Sequence, residues 1–249
     1  MTPLAIYPVR GLPEIDQRVS LAGLILKGIR QLRLLLRPAD VVVVTQKIVS
    51  KAEGRVIDLN RVVASRPARE LAERIRFDPR HVQVILDESV RVVREAPHVL
   101  ITETRHGFIC ANAGVDRSNS GGLDRLVLLP NDPDESAAHL RDELERLSGV
   151  AIGVIISDSF GRPWREGQVN VAIGAAGVES LRDYRGGADA DGYRLEGTVL
   201  AVADELASAA ELVMGKLERV PAALIRGAQV AGAGDASALR RDPATDLFR

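Results

Sequence analysis

The sequence predicts a mixed α/β protein of the α+β kind. Apolar runs rich in β-branched residues are interspersed irregularly with amphipathic segments of helical period. The order does not follow the strict βαβ alternation of a doubly wound sheet, and no internal repeat of about 20 to 50 residues is visible. With 249 residues, 46% of them hydrophobic, the chain can bury a sizeable core. We expect one functional unit over residues 1–249, either undivided or built from two subdomains.

The N-terminal part predicts strands and helices in turn. Residues 4–9 are typical of a strand, and residues 18–36 carry leucine and isoleucine at helical spacing, with Pro38 just beyond them. The β-branched run at 40–50 predicts a buried strand. Residues 66–77 and 78–89 predict two short helices, the second opened by Asp78 as a cap with Pro79 at its first position.

The rest of the chain continues this mixed pattern. We expect three consecutive strands at 90–95, 98–104 and 107–115, followed by a charged surface helix at 131–148. A buried strand at 149–159 and an apolar segment at 169–178 come next. A long alanine-rich helix at 197–217 and a closing strand at 221–227 complete the chain's predicted elements. The polar, glycine-rich stretch at 183–197 predicts a surface excursion, and a mobile loop over a site is the alternative.

Composition excludes several classes of function. A net charge of -1 and 3% aromatic residues argue against nucleic acid as a partner. No apolar run is long enough to span a membrane, and the first residues lack the features of a signal peptide. The single cysteine excludes an internal disulfide. We therefore expect a cytoplasmic protein. Neither a P-loop nor an H-E-x-x-H motif occurs.

Two predicted strands end in similar polar clusters. Asp116 is followed by Ser118, Asn119 and two glycines, and Asp158 is followed directly by Ser159. Carboxylates suit Mg²⁺ or Mn²⁺, which take hard oxygen ligands and often complete their shell with phosphate and water. Ser159 could add a hydroxyl ligand. The alternative is that these loops only make turns.

Cations suited to phosphate lie near both clusters. Arg162 and Arg165 follow Asp158 and could neutralise anionic oxygens by forked hydrogen bonds. Of the 33 basic residues only four are lysines, and Lys47 and Lys51 share the short segment TQKIVSK. Lysine meets phosphate as a compact point charge that arginine does not reproduce. A metal–phosphate site is the hypothesis that joins these segments.

The chain resembles coenzyme F420-0:L-glutamate ligases over almost its whole length. The resemblance is carried by YPVRGLPEI, VVVVTQKIVSKAEGRVIDL, ICANAGVDRSN, IISDSFGRPWREGQVNVAIG, ADELASAAELVMGK and AALIRG, in the family's order and near its spacing. It implies an unusual mixed-sheet fold in an intertwined homodimer. It also implies a GTP-dependent enzyme that attaches L-glutamate to the lactyl carboxylate of the coenzyme precursor and then adds further γ-linked glutamates. Mg²⁺ or Mn²⁺ is implied as the metal, with K⁺ assisting.

The resemblance also implies roles for individual residues. Asp116 and Asp158 match metal-binding aspartates, and Ser159 retains a metal-site hydroxyl. The implied catalytic set is Asp116, Asp158 and Arg162. The implied nucleotide contacts are Gly11, Leu12, Pro13, Glu14, Gln46, Lys47, Lys51, Asn119, Met214, Gly215, Lys216, Leu217, Glu218, Arg219 and Val220.

Two positions depart from the family pattern. Gln46 and Lys47 stand where some members have Ser-Thr. Lys216 follows Met-Gly, where some members carry a glutamate metal ligand. Because an ammonium cannot be a normal metal ligand, we expect either a differently bound second metal or a lysine that meets phosphate.

Other functions remain compatible with the same residues. A metal-dependent phosphohydrolase would turn nucleotide over without glutamate, and a non-catalytic nucleotide-binding module would bind it without turnover. The chain could also be the ligase domain of a longer bifunctional protein, since actinobacterial relatives fuse such a domain to a nitroreductase-like flavin domain.

Overall fold

A computed structural model describes residues 3–17 and 19–247 and confirms the mixed α/β class. The strands are β1 (Ala5–Val9), β2 (Val41–Thr45), β3 (Val56–Asp58), β4 (Ser89–Ala96), β5 (Val99–Thr104), β6 (Ile109–Ala111), β7 (Arg125–Val127), β8 (Gly153–Arg162), β9 (Arg165–Ala176), β10 (Arg182–Asp183), β11 (Val199–Leu200) and β12 (Ala222–Arg226). The helices are α1 (Leu21–Gln31), α2 (Gln46–Ala52), α3 (Arg66–Ile75), α4 (Pro79–Asp87), α5 (Pro133–Ser148) and α6 (Val202–Met214).

A five-stranded sheet in the order β1-β12-β2-β8-β9 forms the centre of the molecule. β2 and β8 run parallel, and the other neighbouring pairs in this sheet are antiparallel. The four valines of β2 are fully buried, as expected for a strand covered on both faces. β8 and β9 extend beyond the rest of the sheet as a long hairpin whose distal residues are largely exposed.

The sheet brings distant chain segments together at one edge. Because β2 and β8 are parallel, with Thr45 opposite Ser157, the residues that follow Thr45 and Ser157 lie side by side. β12 enters the sheet at the same edge, since Ala222 pairs with Val44 and with Val9 at the end of β1. The loop after β1, the start of α2, the outer part of the β8–β9 hairpin and the loop before β12 therefore meet there.

Helices cover both faces of this sheet. On one face, α1 and α5 pack apolar side chains such as Ile25, Ile29 and Leu144 against the strands. On the other face, α6 contributes Leu206, Ala210 and other small or apolar residues, whose size lets the helix lie close to the sheet. The ends of α2 and α6 are thus fixed next to the edge where the loops meet.

A second group of elements has its own core. The sheet β4-β5-β6 and the pair β3-β7 pack with α3 and α4 around buried side chains that include Leu71, Ile85, Leu100 and Leu126. Asp116 is anchored to this group, because its backbone exchanges two hydrogen bonds with Val127, of 2.8 and 2.9 Å. No helix in the described part of the chain is long and apolar enough to cross a membrane.

Several predicted boundaries were wrong. The predicted strand 40–50 ends at Thr45, and α2 begins at Gln46, because the buried residues Gln46, Val49 and Ser50 recur with helical rather than strand period. The predicted helix 18–36 ends at Gln31, shortly before Arg33 takes a left-handed conformation (φ 58°).

Later boundaries shift for similar local reasons. The predicted strand 107–115 stops at Ala111, since the two residues after it adopt left-handed backbone that a strand cannot continue. The predicted helix 197–217 is shorter, starting at Val202 and ending at Met214, where Gly215 has φ 62°. The three-residue strands β3 and β7 were not predicted at all, because so short a run carries no clear period.

Candidate active site

A cavity of about 760 Å³ opens at the edge of the main sheet where these four segments meet. Its lining comes from the loop after β1, the start of α2, the segment from β6 to Gly121, the β8–β9 hairpin and the segment between α6 and β12. These are the segments that carry the polar clusters of the sequence. The fold thus converts five separate stretches into one site.

Asp116 is neutralised by a lysine. The ammonium of Lys47 lies 2.6 Å from Asp116 Oδ2 and donates to Ser118 Oγ at 2.5 Å, while the Ser118 backbone N–H donates to Asp116 Oδ1 at 2.6 Å. Burial alone would raise the pKa of Asp116, but Lys47 and Ser118 together hold that pKa below its ordinary value. Asp116 is therefore an anion at neutral pH.

Asp158 behaves differently although it faces the same cavity. Burial at the end of the sheet raises its pKa to about 7, and the negative charge of Asp116 adds to the rise. The N–H of Ser159 and the ammonium groups of Lys47 and Lys216 act in the opposite direction without cancelling it. Two carboxylates that repel each other across a cavity form a site that favours binding of an additional positive charge.

Ser159 belongs to a closed ring of polar contacts. Its hydroxyl donates to Asn170 Oδ1 at 2.6 Å and accepts a hydrogen bond from Lys216. Lys216 is also paired with Glu211, whose Oε1 lies 2.7 Å from the ammonium. Glu211 Oε2 accepts the backbone N–H of Asn170 at 2.9 Å, which closes the ring.

A second lysine of α2 pairs with the loop after β1. Lys51 is buried, with 9% of its side chain exposed, and it donates to the carboxylate of Glu14, which is 75% exposed. Lys47 and Lys51 thus project from one short helix into the cavity, each held by a carboxylate from a different loop. Gln46 lies beside them, nearly fully buried, and its Oε1 accepts from Ser50 Oγ at 2.9 Å.

Most of the residues proposed from the sequence line this one cavity. They are Leu12, Pro13, Glu14, Gln46, Lys47, Lys51, Asp116, Asn119, Asp158, Ser159, Met214, Gly215, Lys216, Leu217, Arg219 and Val220. Three others do not. Gly11 precedes the lining loop in a left-handed turn (φ 77°), and the Glu218 carboxylate accepts the backbone N–H of Leu217 at 2.8 Å. Arg162 donates to the backbone carbonyl of Glu166 at 2.6 Å within the hairpin, so its catalytic role stays a prediction.

The site also contains residues that the sequence did not indicate. Gln168 and Asn170 line the cavity from β9, and Glu211 supports it from α6. Cys110 lies in the wall, where burial and the nearby Asp158 raise its pKa to about 12, so the thiol stays neutral. Gln168 and Asn170 stand in the segment IISDSFGRPWREGQVNVAIG, but the resemblance assigned them no role, and it is the hairpin that places them opposite β8.

The cavity's cations are almost completely matched by carboxylates. Lys47, Lys51 and Lys216 pair with Asp116, Glu14 and Glu211 respectively. The fourth lining cation, Arg219, makes no hydrogen bond or ion pair with residues 3–17 or 19–247, and its backbone is left-handed (φ 54°).

The donor chemistry fits a hard divalent cation. Within the described residues, no group of three or more His, Cys, Asp or Glu side chains is arranged as a complete metal cage. Mg²⁺ does not require one, since it is commonly held by one or two carboxylates together with substrate phosphates and water. Asp116 and Asp158 supply such a pair in the wall of one cavity, and this placement of two carboxylates is the observation that supports the fit. Burial, followed by the negative charge of Asp116, raises the pKa of Asp158, as expected for such a pair.

Comparison with known proteins decides the family. The profile of the family described as F420-0:Gamma-glutamyl ligase matches residues 11–227, which include every residue lining the cavity. The chain belongs to the F420-0:gamma-glutamyl ligase family. The resemblance read from the motifs is thereby confirmed at the level of the family.

Individual relatives of this ligase-family chain agree with the profile. Coenzyme F420:L-glutamate ligase of Methanocaldococcus jannaschii is 44% identical over 245 residues, which cover 94% of this chain and 98% of the relative. The protein of the same name from Methanopyrus kandleri is 49% identical over 220 residues, 86% of this chain and 87% of the relative. That of Methanothermobacter thermautotrophicus is 42% identical over 251 residues and covers 99% of both chains.

Proposed function

We propose that this chain is a coenzyme F420-0:L-glutamate ligase that uses GTP to join L-glutamate to the lactyl carboxylate of the precursor and then adds further γ-linked glutamates. Family membership supports the ligase activity. The observation that carries the site assignment is the grouping of Lys47, Lys51, Asp116 and Asp158 in one cavity of about 760 Å³. Such a cavity offers cations for phosphate and carboxylates for a metal in one place.

Amide formation from a carboxylate needs a better leaving group than oxide. In the proposed reaction, a carboxylate oxygen of the precursor attacks the γ-phosphorus of GTP, and GDP leaves. The neutral amine of glutamate then attacks the acyl carbon, phosphate leaves, and the amine loses a proton. Phosphoryl transfer of this kind depends on positioning and on neutralising charge rather than on covalent help from the protein.

The lysines would act by exchanging partners. Lys47 and Lys51 are bound to carboxylates that lie on loops, and the phosphate oxygens of a nucleotide are the competing acceptors for their N–H groups. Asp116 and Asp158 would hold Mg²⁺ or Mn²⁺, which when bound supplies positive charge at the phosphates. We propose K⁺ as an assisting ion on the basis of the family resemblance.

Incubation of the protein with GTP, Mn²⁺, L-glutamate and the F420 precursor tests the proposal, with product masses as the readout. Mass increments of successive glutamyl residues, formed only when GTP is present, are expected. Matched reactions lacking glutamate or replacing GTP with ATP serve as controls. GDP release at the same rate without glutamate would indicate a phosphohydrolase. Nucleotide binding without GDP or ligated product would indicate a binding module.

A further inference from the structure

Glu211 lies behind the cavity wall and does not line it, yet it contacts two residues that do. One carboxylate oxygen is 2.7 Å from the Lys216 ammonium, and the other accepts the Asn170 backbone N–H at 2.9 Å. Ser208, one turn earlier on α6, donates to the Asn170 carbonyl at 2.7 Å. Both polar backbone groups of Asn170 are thus tied to the same helix.

These contacts fix the hydroxyl of Ser159. Its single proton is used on Asn170 Oδ1, and one of its lone pairs is used on Lys216, so one lone pair is left. Asn170 is 4% exposed, so this partner is held by packing as well as by hydrogen bonds. The orientation of the Ser159 hydroxyl therefore depends on Glu211 through two routes, Lys216 and Asn170.

The hydrogen-bond donors of Lys216 can be counted in the same way. An ammonium has three N–H donors, and Lys216 uses one on Glu211 and one on Ser159. One N–H remains on a group that lines the same cavity as Asp158. An exposed ion pair alone would hold the ammonium weakly, but the closed ring restricts its position further.

We propose that Glu211 is a positioning residue, which holds the Lys216 ammonium and the Ser159 hydroxyl in place so that the remaining N–H of Lys216 meets an anionic oxygen of the nucleotide's phosphate chain. The inference rests on the proposed function for the identity of that oxygen. The ring of contacts among Glu211, Lys216, Ser159 and Asn170 does not depend on the proposed function. Glu211 acts through Lys216 and touches no substrate.

Acylation of lysines tests the ring without any catalysis. The chain contains only four lysines, so mass spectrometry can follow each one separately. In the Glu211→Gln variant, Lys216 should react several-fold faster with an acetylating reagent, while Lys47 and Lys51 react as in the wild type. Glu205→Gln is the matched control, since Glu205 is exposed on the same helix. Equal Lys216 rates in wild type and Glu211→Gln would overturn the proposed ring, whatever the enzyme's activity.

Kinetics then test the positioning role. Because a fixed cation matters most for charge that develops during phosphoryl transfer, Glu211→Gln should lower kcat by about tenfold or more with a smaller change in KM for GTP. In a Lys216→Ala background, Glu211→Gln should have little further effect, since the lysine that it positions is gone. An unchanged kcat with a lower KM for GTP would show that Glu211 only neutralises Lys216. Additive losses in the double variant would show a general structural role. Either result would overturn the proposal, and an inactive wild type would instead count against the proposed function.

Discussion

Replacing Asp158 by asparagine is expected to stabilise the metal-free protein at neutral and alkaline pH. The carboxyl of Asp158 has its pKa raised from 3.8 to about 7, first by burial and then by Asp116. The folded state therefore keeps the proton up to about pH 7, whereas the unfolded chain releases it near pH 4. Between these values the folded state binds more protons, so the free energy of unfolding falls as pH rises.

The size of this effect follows from the shift in pKa. A rise from 3.8 to about 7 is roughly three pH units, and each unit is worth about 1.36 kcal/mol, which gives about 4 kcal/mol. Asparagine at this position has a similar shape and no charge. The variant should therefore match the wild type near pH 4 and exceed its free energy of unfolding by about 3 to 4 kcal/mol at pH 8.

Urea denaturation in the presence of a chelator, at several pH values between 4 and 9, measures this difference. Circular dichroism is the better probe, because the one tryptophan, Trp164, is 80% exposed and reports little on the core. Asp183→Asn is the matched control. Hydrogen bonds from Arg185 lower the pKa of Asp183 to about 2, so this carboxylate stays ionised in the folded state throughout the range, and its replacement should leave the pH dependence above about pH 5 unchanged.

Parallel stability curves for the wild type and the Asp158→Asn variant would refute the reasoning, since they would mean that Asp158 is ionised in the folded state at little cost. Repeating the denaturation with added Mn²⁺ tests whether Asp158 also contributes to metal binding. A cation that binds the folded state stabilises it by mass action, so the wild type should gain more stability than the variant. An equal increase in the free energy of unfolding for the wild type and the variant would show that Asp158 does not contribute to metal binding.

Three further predictions concern activity and assembly. Asp116→Asn should remove most ligase activity while circular dichroism shows a folded protein, and near-normal turnover at limiting Mn²⁺ would contradict the metal assignment. Lys216→Ala should raise KM for GTP several-fold, make that KM less sensitive to salt and lower kcat at least as much as Glu211→Gln does, whereas a lysine that serves only the helix end would leave GTP kinetics unchanged. Sedimentation at micromolar concentration should show a homodimer, and a species of only 26.8 kDa would exclude it.

The sequence predicted that the strands of the site exist, but it did not predict correctly the residues at which they end. The valines of β2 and the apolar run of β8 form a local pattern, and burial on both faces follows from composition. Where β2 stops depends on Gln46, whose burial comes from tertiary packing that a β-branched run cannot reveal. The resemblance to a family placed Asp116 and Asp158 in one site, and the fold explains how, through the parallel pairing of β2 with β8 and the anchoring of Asp116 to Val127.

Contacts between distant residues were beyond the reach of the sequence. Glu211 and Asn170 are 41 residues apart and become partners only because α6 packs beside β9. Nothing in the local pattern around Glu211 distinguishes it from an ordinary polar residue of an amphipathic helix. Lys216 was singled out because it departs from the family pattern, but its partners became visible only in the structure.

The pairing of each cavity lysine with a carboxylate has a consequence for how the site is used. Lys47 cannot give its full charge to a phosphate while it lies 2.6 Å from Asp116. Asp116, in turn, would be left beside Asp158 without a cationic partner if Lys47 moved to a nucleotide. The pKa of Asp158, which burial and the charge of Asp116 already raise, would then rise further because the opposing charge of Lys47 is lost. In the proposed function, a divalent cation at the two aspartates would remove this conflict, because it would free Lys47 for phosphate. Occupancy by metal and by nucleotide should therefore favour each other, with Lys47 as the residue whose partner changes.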